Sequence, residues 1–350
     1  MGDPKEHRRG SRGLSLASQG RVIVIVVALV AACCGSLPGL SSAADASIAG
    51  YHRVRDIPLP GSTGRWDYQA FDASSHRLYI AHLGAGEVVA FDTLHQRVVG
   101  VVKEISSPHG VAVAPDAGRL FVTATGRDEL VAVDLATLAV VGRASAGPYP
   151  DGLAYVPGLR KVYVTDEHGT GDTIIDASTI RPIGLIKLGS DIGNTKYDPD
   201  GNLVFVAVGG SNELVAIDPR SDRVVGRLSL PGCEGAHGMQ LMASPRRAFV
   251  ACEGNSKVVV GDLAGNRVLG SVGVGGTPDV LAYDPGLQRV YVASEDGQLA
   301  VIQTSDPPHK LAQGNAGPNG HTVAVDPSTH FVYLPLADVG GRPVLRVLSP

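Results

Sequence analysis

The chain lacks the short motifs that mark several common chemistries. Its 350 residues contain no serine-nucleophile motif, no phosphate-cradling loop and no Cys-x-x-Cys-His haem attachment site. Each of these motifs depends on particular residue types at a fixed spacing. A function must therefore be sought among residues that the fold brings together from distant parts of the chain.

Positive charge is scarce as well. The formal net charge is −4, and without residues 1–43 it becomes −7, with 25 Lys and Arg against 32 Asp and Glu. Nucleic-acid binding normally needs a basic stripe that neutralises phosphates. The repeats described below carry neither basic clusters nor interleaved aromatic residues, and we expect no nucleic-acid partner.

The apolar run at residues 22–32 is too short to cross a membrane. It has eleven residues, whereas a spanning helix needs about 20. Five basic residues precede this run and small residues follow it, which is the pattern of a secretory signal peptide with a short linker, here residues 1–43. The protein is therefore expected to be exported, to the periplasm or the extracellular space.

A second interpretation of this leader involves Cys33. Residues 30–33, Val-Ala-Ala-Cys, resemble a bacterial lipoprotein cleavage box, in which Cys33 becomes the lipidated N-terminus. Lipidation would convert a soluble protein into an anchored one. We expect contact with a membrane only through such an anchor.

An aromatic residue recurs along the chain at an almost constant spacing. It follows a short apolar run each time, and the steps are 42, 42, 42, 44, 42 and 42 residues. A period in the low forties, rich in Val, Ile, Tyr and Phe and interrupted by Gly, Pro and Asp, indicates a β-propeller with one blade per repeat. The seven markers are Tyr79, Phe121, Tyr163, Phe205, Phe249, Tyr291 and Tyr333.

Each repeat divides into four short strands, so the predicted fold class is all-β. The second repeat shows them as GVAVAP, RLFVTA, ELVAVD and AVVGRASAG, separated by turn-forming residues. Residues 52–61 (HRVRDIPLPG) resemble a fourth strand without its first three, and the last repeat, from His321, supplies only three strands. We predict a seven-bladed propeller of four-stranded blades, closed three plus one by the N-terminal strand, which removes exposed sheet edges.

The strings RLYIAH, KVYVTD, RVYVAS, NELVAID and RVVGRLSLPG resemble the YVTN-type β-propeller repeats of bacterial secreted proteins. The resemblance covers about residues 50–350 and implies one propeller domain. It is specific for fold and weak for activity, because a fold does not determine a function.

Cys233 and Cys252 are the two cysteines outside the leader, and both fall on the same face of the fifth blade in the repeat register. Two cysteines in an exported protein favour one disulfide. The alternative is a pair of free thiols that bind a metal.

One repeat position carries a polar residue in every blade. It lies twelve residues before the aromatic marker, or eleven in the fourth blade, and it begins the innermost strand at the mouth of the central channel. The residues are Asp67, His109, Asp151, Asn194, His237, Asp279 and His321. The loops after the second strands reach the same face and carry His82, Asp166, Glu167, His168, Glu253 and Glu295.

Two interpretations of this polar ring remain open. It can serve structure alone, because inner-strand N–H groups and channel waters need polar partners. It can also bind a ligand, since convergent titratable groups in a concavity are typical of functional sites. Trp66 and Tyr68 beside it have the same two interpretations, packing or stacking on a ligand.

A metal needs ligands that converge within a few ångströms, which only adjacent blades can offer. The prediction for a divalent metal is His237, Asp279 and His321, in blades five to seven. The opposite arc of His109, Asp151 and Asn194 with Glu167 is a softer candidate for Mg²⁺ or Ca²⁺.

Two functions from different classes follow. The first is an exported binding propeller that holds a small ligand, a metal ion or a partner protein at the channel mouth, through the ring residues and through Glu167, Glu253 and Glu295. The second is a metal-dependent hydrolase or lyase of the lactonase type, with His109 or His237 as general base. A pure scaffold is the third alternative.

Overall fold

The computed structural model describes residues 48–350, which form 28 β-strands. The predicted signal peptide and the predicted lipidation site at Cys33 lie outside the described residues. Strands β1–β14 are His52–Pro58, Gln69–Asp72, Arg77–His82, Glu87–Asp92, Arg97–Val102, Pro108–Ala114, Arg119–Ala124, Glu129–Asp134, Val140–Ser145, Pro150–Val156, Lys161–Asp166, Gly171–Asp176, Arg181–Lys187 and Ile192–Asp198. Strands β15–β28 are Leu203–Val208, Glu213–Asp218, Arg223–Ser229, Ala236–Met242, Arg247–Cys252, Lys257–Asp262, Arg267–Gly273, Pro278–Asp284, Arg289–Ser294, Gln298–Gln303, His309–Asn315, Ala324–Asp326, Phe331–Leu336 and Val344–Ser349.

The strands form seven antiparallel four-stranded sheets, each a blade. The first strands of the blades contact one another in a closed ring, from β2 through β6, β10, β14, β18 and β22 to β26 and back to β2. These seven strands are therefore innermost and surround the central axis. The prediction of a seven-bladed all-β propeller is confirmed.

The closing blade combines both ends of the domain, in the strand order β1-β28-β27-β26. Asp56 on β1 receives hydrogen bonds from Nε and Nη2 of Arg346 on β28, at 2.8 and 2.7 Å. A bidentate pair of this kind is strong and geometrically specific. The predicted three-plus-one closure is confirmed.

The aromatic markers lie on the second strand of each blade and are buried. Each is opposite a residue of the innermost strand, which is Ala in five blades and Lys196 or Gln240 in the other two. Small residues near the axis let seven sheets approach one another, and the large aromatics fill the wider space farther out. The hydrophobic core thus lies between adjacent blades, as the repeat predicts.

Aspartates at the ends of third strands stabilise the turns on the face opposite the mouth. Asp134 accepts backbone hydrogen bonds from Ala136 and Thr137, and Asp176 accepts them from Ser178 and Thr179. Short 3₁₀ helices occupy other connections, at Leu83–Ala85, Pro115–Ala117, Thr125–Arg127, Pro157–Leu159 and Glu253–Asn255. Their role in these turns explains the aspartates at the ends of the third strands without invoking a ligand.

Cys233 and Cys252 form a disulfide within the fifth blade, with Cα atoms 5.2 Å apart. The thiols are therefore bonded to each other and the metal-binding alternative for them does not apply. Within residues 48–350, none of the helices has the length and apolar character required to span a bilayer.

Candidate functional site

The polar ring and the loop glutamates meet at one end of the central channel. Five ring residues line a cavity of about 180 Å³, together with all three predicted glutamates, Glu167, Glu253 and Glu295. The five are Asp67, His109, Asp151, His237 and Asp279. Of the other two, Asn194 is hydrogen-bonded to Tyr68, and His321 lies 3.8 Å from Asp67 and 4.0 Å from Asp279.

The turn that precedes each innermost strand aims the ring residue at the channel. Two residues before the ring position, the backbone is left-handed in five blades, for example with φ of +56° at Tyr149 and +48° at Thr277. This conformation is unfavourable for large and β-branched residues. The same backbone geometry therefore recurs around the ring and holds the ring side chains in a fixed arrangement.

Tyr68 forms the floor of the cavity. Its hydroxyl oxygen lies 3.3 Å from a carboxylate oxygen of Asp151 and also of Asp279, on opposite sides of the axis. The same oxygen accepts a hydrogen bond of 2.5 Å from the Asn194 amide. Burial, followed by the nearby carboxylates, raises the pKa of Tyr68 well above its usual value. The hydroxyl therefore stays neutral and links Asp151, Asn194 and Asp279 across the axis.

One half of the mouth is neutralised by Arg65, and we call it the Arg65 half: Arg65, Asp67, Glu295 and His321. The Arg65 guanidinium lies 3.1 Å from Asp67 and 2.8 Å from Glu295, and 3.9 Å from Asp279 at the boundary of this half. Burial alone would raise the pKa of Asp67, but His321, His109 and Arg65 hold it at about 2. Asp67 is thus ionised and its charge is balanced by the protein.

The other half, which we call the His237 half, is rich in carboxylates: Asp151, Glu167, His237 and Glu253, again with Asp279 at the boundary. His237 Nε2 lies 3.6 Å from Asp151 and 3.9 Å from Glu253. Burial, followed by the charge of Asp151, raises the pKa of Glu167 to about 7, and burial raises the pKa of Asp279 to about 7. The acidic groups here outnumber the single imidazole.

Within residues 48–350, two groups of side chains each bring three ligand atoms within 4.8 Å of one another. The first is His237, Glu253 and Asp279, and the second is Asp279, Glu295 and His321. The structure thus divides the predicted set of His237, Asp279 and His321, because Asp279 lies between the two histidines and each imidazole is paired with its own loop glutamate. Asp279 is common to both groups.

The opposite arc is held by protein partners. Asn194 hydrogen-bonds Tyr68, and His109 Nδ1 lies 3.1 Å from the Ser107 carbonyl oxygen and 2.7 Å from the Thr125 hydroxyl. The Thr125 hydroxyl donates to the Pro150 carbonyl, so Nδ1 of His109 donates to both oxygens. The neutral imidazole then carries its lone pair on Nε2, which lies 4.0 Å from Asp67 at the cavity.

Several residues near the mouth serve packing. Trp66 is fully buried and stacks on the His82 ring with centroids 3.7 Å apart, which supports the packing interpretation of Trp66.

Asp166 and His168 line a separate cleft of about 670 Å³ at the edge of the third blade. Both carboxylate oxygens of Asp166 are satisfied there, by Gly147 N–H and the Thr173 hydroxyl.

Sequence reasoning overlooked Arg65 and Tyr149, which both line the cavity. Both stand two residues before a ring residue. That position is occupied by Ser107, Gly235, Thr277 and Asn319 in four other blades and by Ile192 in the fourth blade. Comparing this second position across the repeats would have singled out Arg65 as its only cation.

Comparison with known proteins identifies the fold alone. No family model and no curated protein matches the chain, so the YVTN-type family remains a resemblance. Among solved structures, hydrazine synthase of Kuenenia stuttgartiensis has a TM-score of 0.69 at 17% identity, over 83% of this chain and 97% of that one.

Two further solved structures are similar to this chain. U3-55K has a TM-score of 0.71 at 10% identity, over 84% of this chain and 98% of that one. The RRP9 WD40 repeats have a TM-score of 0.72 at 10% identity, over 86% and 99%. This chain is a seven-bladed β-propeller with WD40-like structural neighbours.

Proposed function

We propose that this protein is an exported binding propeller whose channel mouth holds one divalent cation on His237, Glu253 and Asp279. The observation that carries the proposal is the convergence of these three ligand atoms within 4.8 Å. Ligands around a metal such as Zn²⁺ lie about 2.0 to 2.2 Å from the ion, so small side-chain movements would complete the site.

The charge of this half supports a cation. The charged groups that act on Glu253 are His237 and three carboxylates, those of Asp151, Asp191 and Glu295. Buried charges normally need a partner of opposite sign. A divalent ion would supply that charge where the imidazole alone does not.

The donor set indicates the class of ion. One imidazole nitrogen and two carboxylate groups suit Zn²⁺, Mn²⁺ or Fe²⁺ better than they suit Cu⁺, which prefers sulfur. Three protein ligands leave positions for water or for an oxygen-bearing ligand. The cavity of about 180 Å³ limits such a ligand to a small molecule or to the tip of a larger partner.

The test is equilibrium dialysis of the metal-free mature protein against Mn²⁺ and, separately, Zn²⁺, followed by elemental analysis. We expect one ion per chain, and none for His237→Ala. His95→Ala is the matched control, because His95 is exposed and pairs with Asp92 at a turn. Equal metal content in wild type and His237→Ala would refute the proposal.

A specific feature of His109 supports a second candidate, a metal-dependent hydrolase or lyase of the lactonase type. Ser107 and Thr125 fix Nδ1 as the protonated nitrogen, so Nε2 faces the cavity as a proton acceptor, as a general base requires. In this candidate His237 would hold the metal, which would activate a water, and His109 Nε2 would accept the proton of the attacking water.

The two candidates separate on turnover. The Mn²⁺-loaded protein would be assayed against a panel of γ- and δ-lactones beside His109→Gln. A rate that falls at least 100-fold in the variant, with metal content unchanged, would support the enzyme. No turnover by the wild type would leave the binding function.

A further inference from the structure

The second group of potential ligands, Asp279, Glu295 and His321, matches the first in composition and spacing. Each contains one histidine and one loop glutamate, and both contain Asp279. Glu253 and Glu295 are even exposed to a similar extent, 33% and 32%. By ligand geometry alone, the mouth offers two metal positions with Asp279 as a shared carboxylate.

Arg65 distinguishes the two groups. Its guanidinium lies 2.8 Å from Glu295 and 3.9 Å from Asp279, within the second group. Its Nε also donates to Asp67 at 3.1 Å. A fixed monovalent cation therefore already occupies the space between these carboxylates.

The His321 ring is oriented to suit Arg65 rather than a metal. Asn319 Oδ1 accepts from Trp66 N–H, so the Asn319 amide nitrogen faces His321 Nδ1 at 3.0 Å and donates to it. The neutral ring then carries its proton on Nε2. His321 is fully buried and Nε2 has no hydrogen-bond partner, 3.8 Å from Asp67 and 4.0 Å from Asp279.

The position of Arg65 is built into the fold. The next residue, Trp66, is buried against His82, and the Arg65 carbonyl accepts from Gly84 N–H at 3.0 Å. Gly64 and Gly84 approach so closely that a Cβ on Gly84 would lie 2.9 Å from the Gly64 Cα. The backbone of Arg65 is thus fixed while its side chain reaches into the mouth.

We propose that Arg65 is a tethered cation that excludes a second divalent ion from Asp279, Glu295 and Asp67, and so limits the mouth to one metal. The inference rests on the proposed function and deepens it, because Arg65 determines the number of ions bound. Removing its charge opens a second site in which Asp279 bridges two ions. His321 supplies the remaining ligand atom of that second group.

The test counts Mn²⁺ bound to the full mature chain, by equilibrium dialysis and elemental analysis. We expect one ion in wild type, two in Arg65→Gln, and one again in Arg65→Gln/Glu295→Gln. Arg65→Lys keeps the charge and should bind one. Arg227→Gln is the matched control, because Arg227 forms a 2.7 Å ion pair with Glu213 away from the cavity.

Electron paramagnetic resonance adds a second readout. Two ions that share Asp279 couple magnetically, so the signal of isolated Mn²⁺ in wild type should give way to a coupled spectrum in Arg65→Gln. Arg65→Met repeats the test with another neutral side chain, should Arg65→Gln fail to fold. Arg65 is 39% exposed, and folding of at least one of them is expected.

The outcomes separate this inference from the proposed function. One ion in both wild type and the neutral variants would overturn the inference and leave the proposed function intact, and two ions in wild type would overturn the inference as well. No ion in wild type, with one in Arg65→Gln that is lost on adding Glu295→Gln, would refute the His237 site while upholding the role of Arg65.

Discussion

The Arg65 half and the His237 half of the channel mouth both contain one histidine with aspartate and glutamate side chains, but only the first contains an arginine, and their carboxylates reach opposite electrostatic states. In the Arg65 half the pKa of Asp67 is lowered to about 2, because the His321 and His109 side chains and Arg65 together outweigh its burial. In the His237 half the pKa of Glu167 is raised to about 7 by burial and by Asp151. The partner of a buried carboxylate, and not its identity, decides its charge.

This comparison suggests how one repeat can produce both structure and function. The innermost strands supply seven nearly equivalent polar positions, so symmetry alone would favour a ring of equivalent sites. A single arginine breaks that symmetry by satisfying one side. The other side is left with unbalanced acidic groups, which is where an external cation would be stabilised.

The largest expected effect comes from removing the anchor of the Arg65 half. Trp66→Ala deletes a fully buried ring stacked on His82, and such truncations cost about 3 to 5 kcal/mol of unfolding free energy. Urea unfolding would measure this loss. Phe121→Ala, at an equally buried site in blade two, should cost a similar amount.

The two variants should differ at Arg65. The Nε–H group of Arg65 donates a hydrogen bond to Asp67. The NMR signal of this N–H should be protected from hydrogen exchange in wild type and in Phe121→Ala, but not in Trp66→Ala. A protected Arg65 signal in Trp66→Ala would show that the anchor does not position the guanidinium.

Glu253→Gln and Glu295→Gln form a matched pair across the two halves. Glu253→Gln removes a proposed metal ligand and should weaken Mn²⁺ binding by about 100-fold or more, because alteration of even an outer-shell partner typically costs about 10- to 100-fold in metal affinity. Glu295→Gln removes the 2.8 Å partner of Arg65. It should leave Mn²⁺ affinity within about threefold and lower stability by about 1 kcal/mol or less, as expected for a partly exposed ion pair.

Calorimetric titration and thermal unfolding of both variants would check this pair. Equal losses of Mn²⁺ affinity in the two variants would mean that the halves are not distinct. A loss only in Glu295→Gln would place the cation on the Arg65 side.

The fold was predictable because its determinants are local and repeated. The sequence itself shows the strand lengths, the turn residues and the regular spacing of Tyr79, Phe121 and the later markers. Strand β1 was identified because it resembles the fourth strands of the other repeats. The ring of polar residues followed from aligning the repeats. Asn194 shows the limit of that alignment, because it is one residue out of step and contacts Tyr68.

The division of the mouth into two halves was not predictable in the same way. It depends on where Arg65 reaches from a loop before blade one, and on the pairing of Glu253 with His237 and of Glu295 with His321. These are contacts between side chains of different blades. The repeat spacing predicts which face of the propeller a residue lies on, but it does not predict which side chains touch. The contacts of the Tyr68 hydroxyl with Asp151 and Asp279, across the axis, were unpredictable for the same reason.

The smallest expected effect is a difference in pH dependence between the halves. Glu167 and Asp279 have pKa values raised to about 7, so the folded state holds protons that the unfolded chain has released above its ordinary carboxyl pKa. Their contribution to stability therefore falls as pH rises from about 4 to about 7. Burial opposes the charged form of His237, but Asp151 and Glu253 raise its pKa. The contribution of His237 to stability is therefore also lost as pH rises through its pKa in the folded state.

Asp67 behaves in the opposite way. Its lowered pKa contributes stability that is present above about pH 4 and is lost only as pH falls toward 2. Between pH 5 and 8 the metal-free protein should therefore lose stability through the His237 half, and also through Asp166, Asp172 and His321, whose pKa values are raised as well. Bound Mn²⁺ should remove the part that arises in the His237 half, because the ion favours the ionised carboxylates and the neutral imidazole. Melting temperatures over this pH range measure the loss of stability without Mn²⁺ and its removal with Mn²⁺. The affinity for Mn²⁺ should also rise about tenfold or more from pH 5.5 to 7.5. A stabilisation by Mn²⁺ of equal size at both pH values would mean that the ion does not bind the titrating groups of the His237 half.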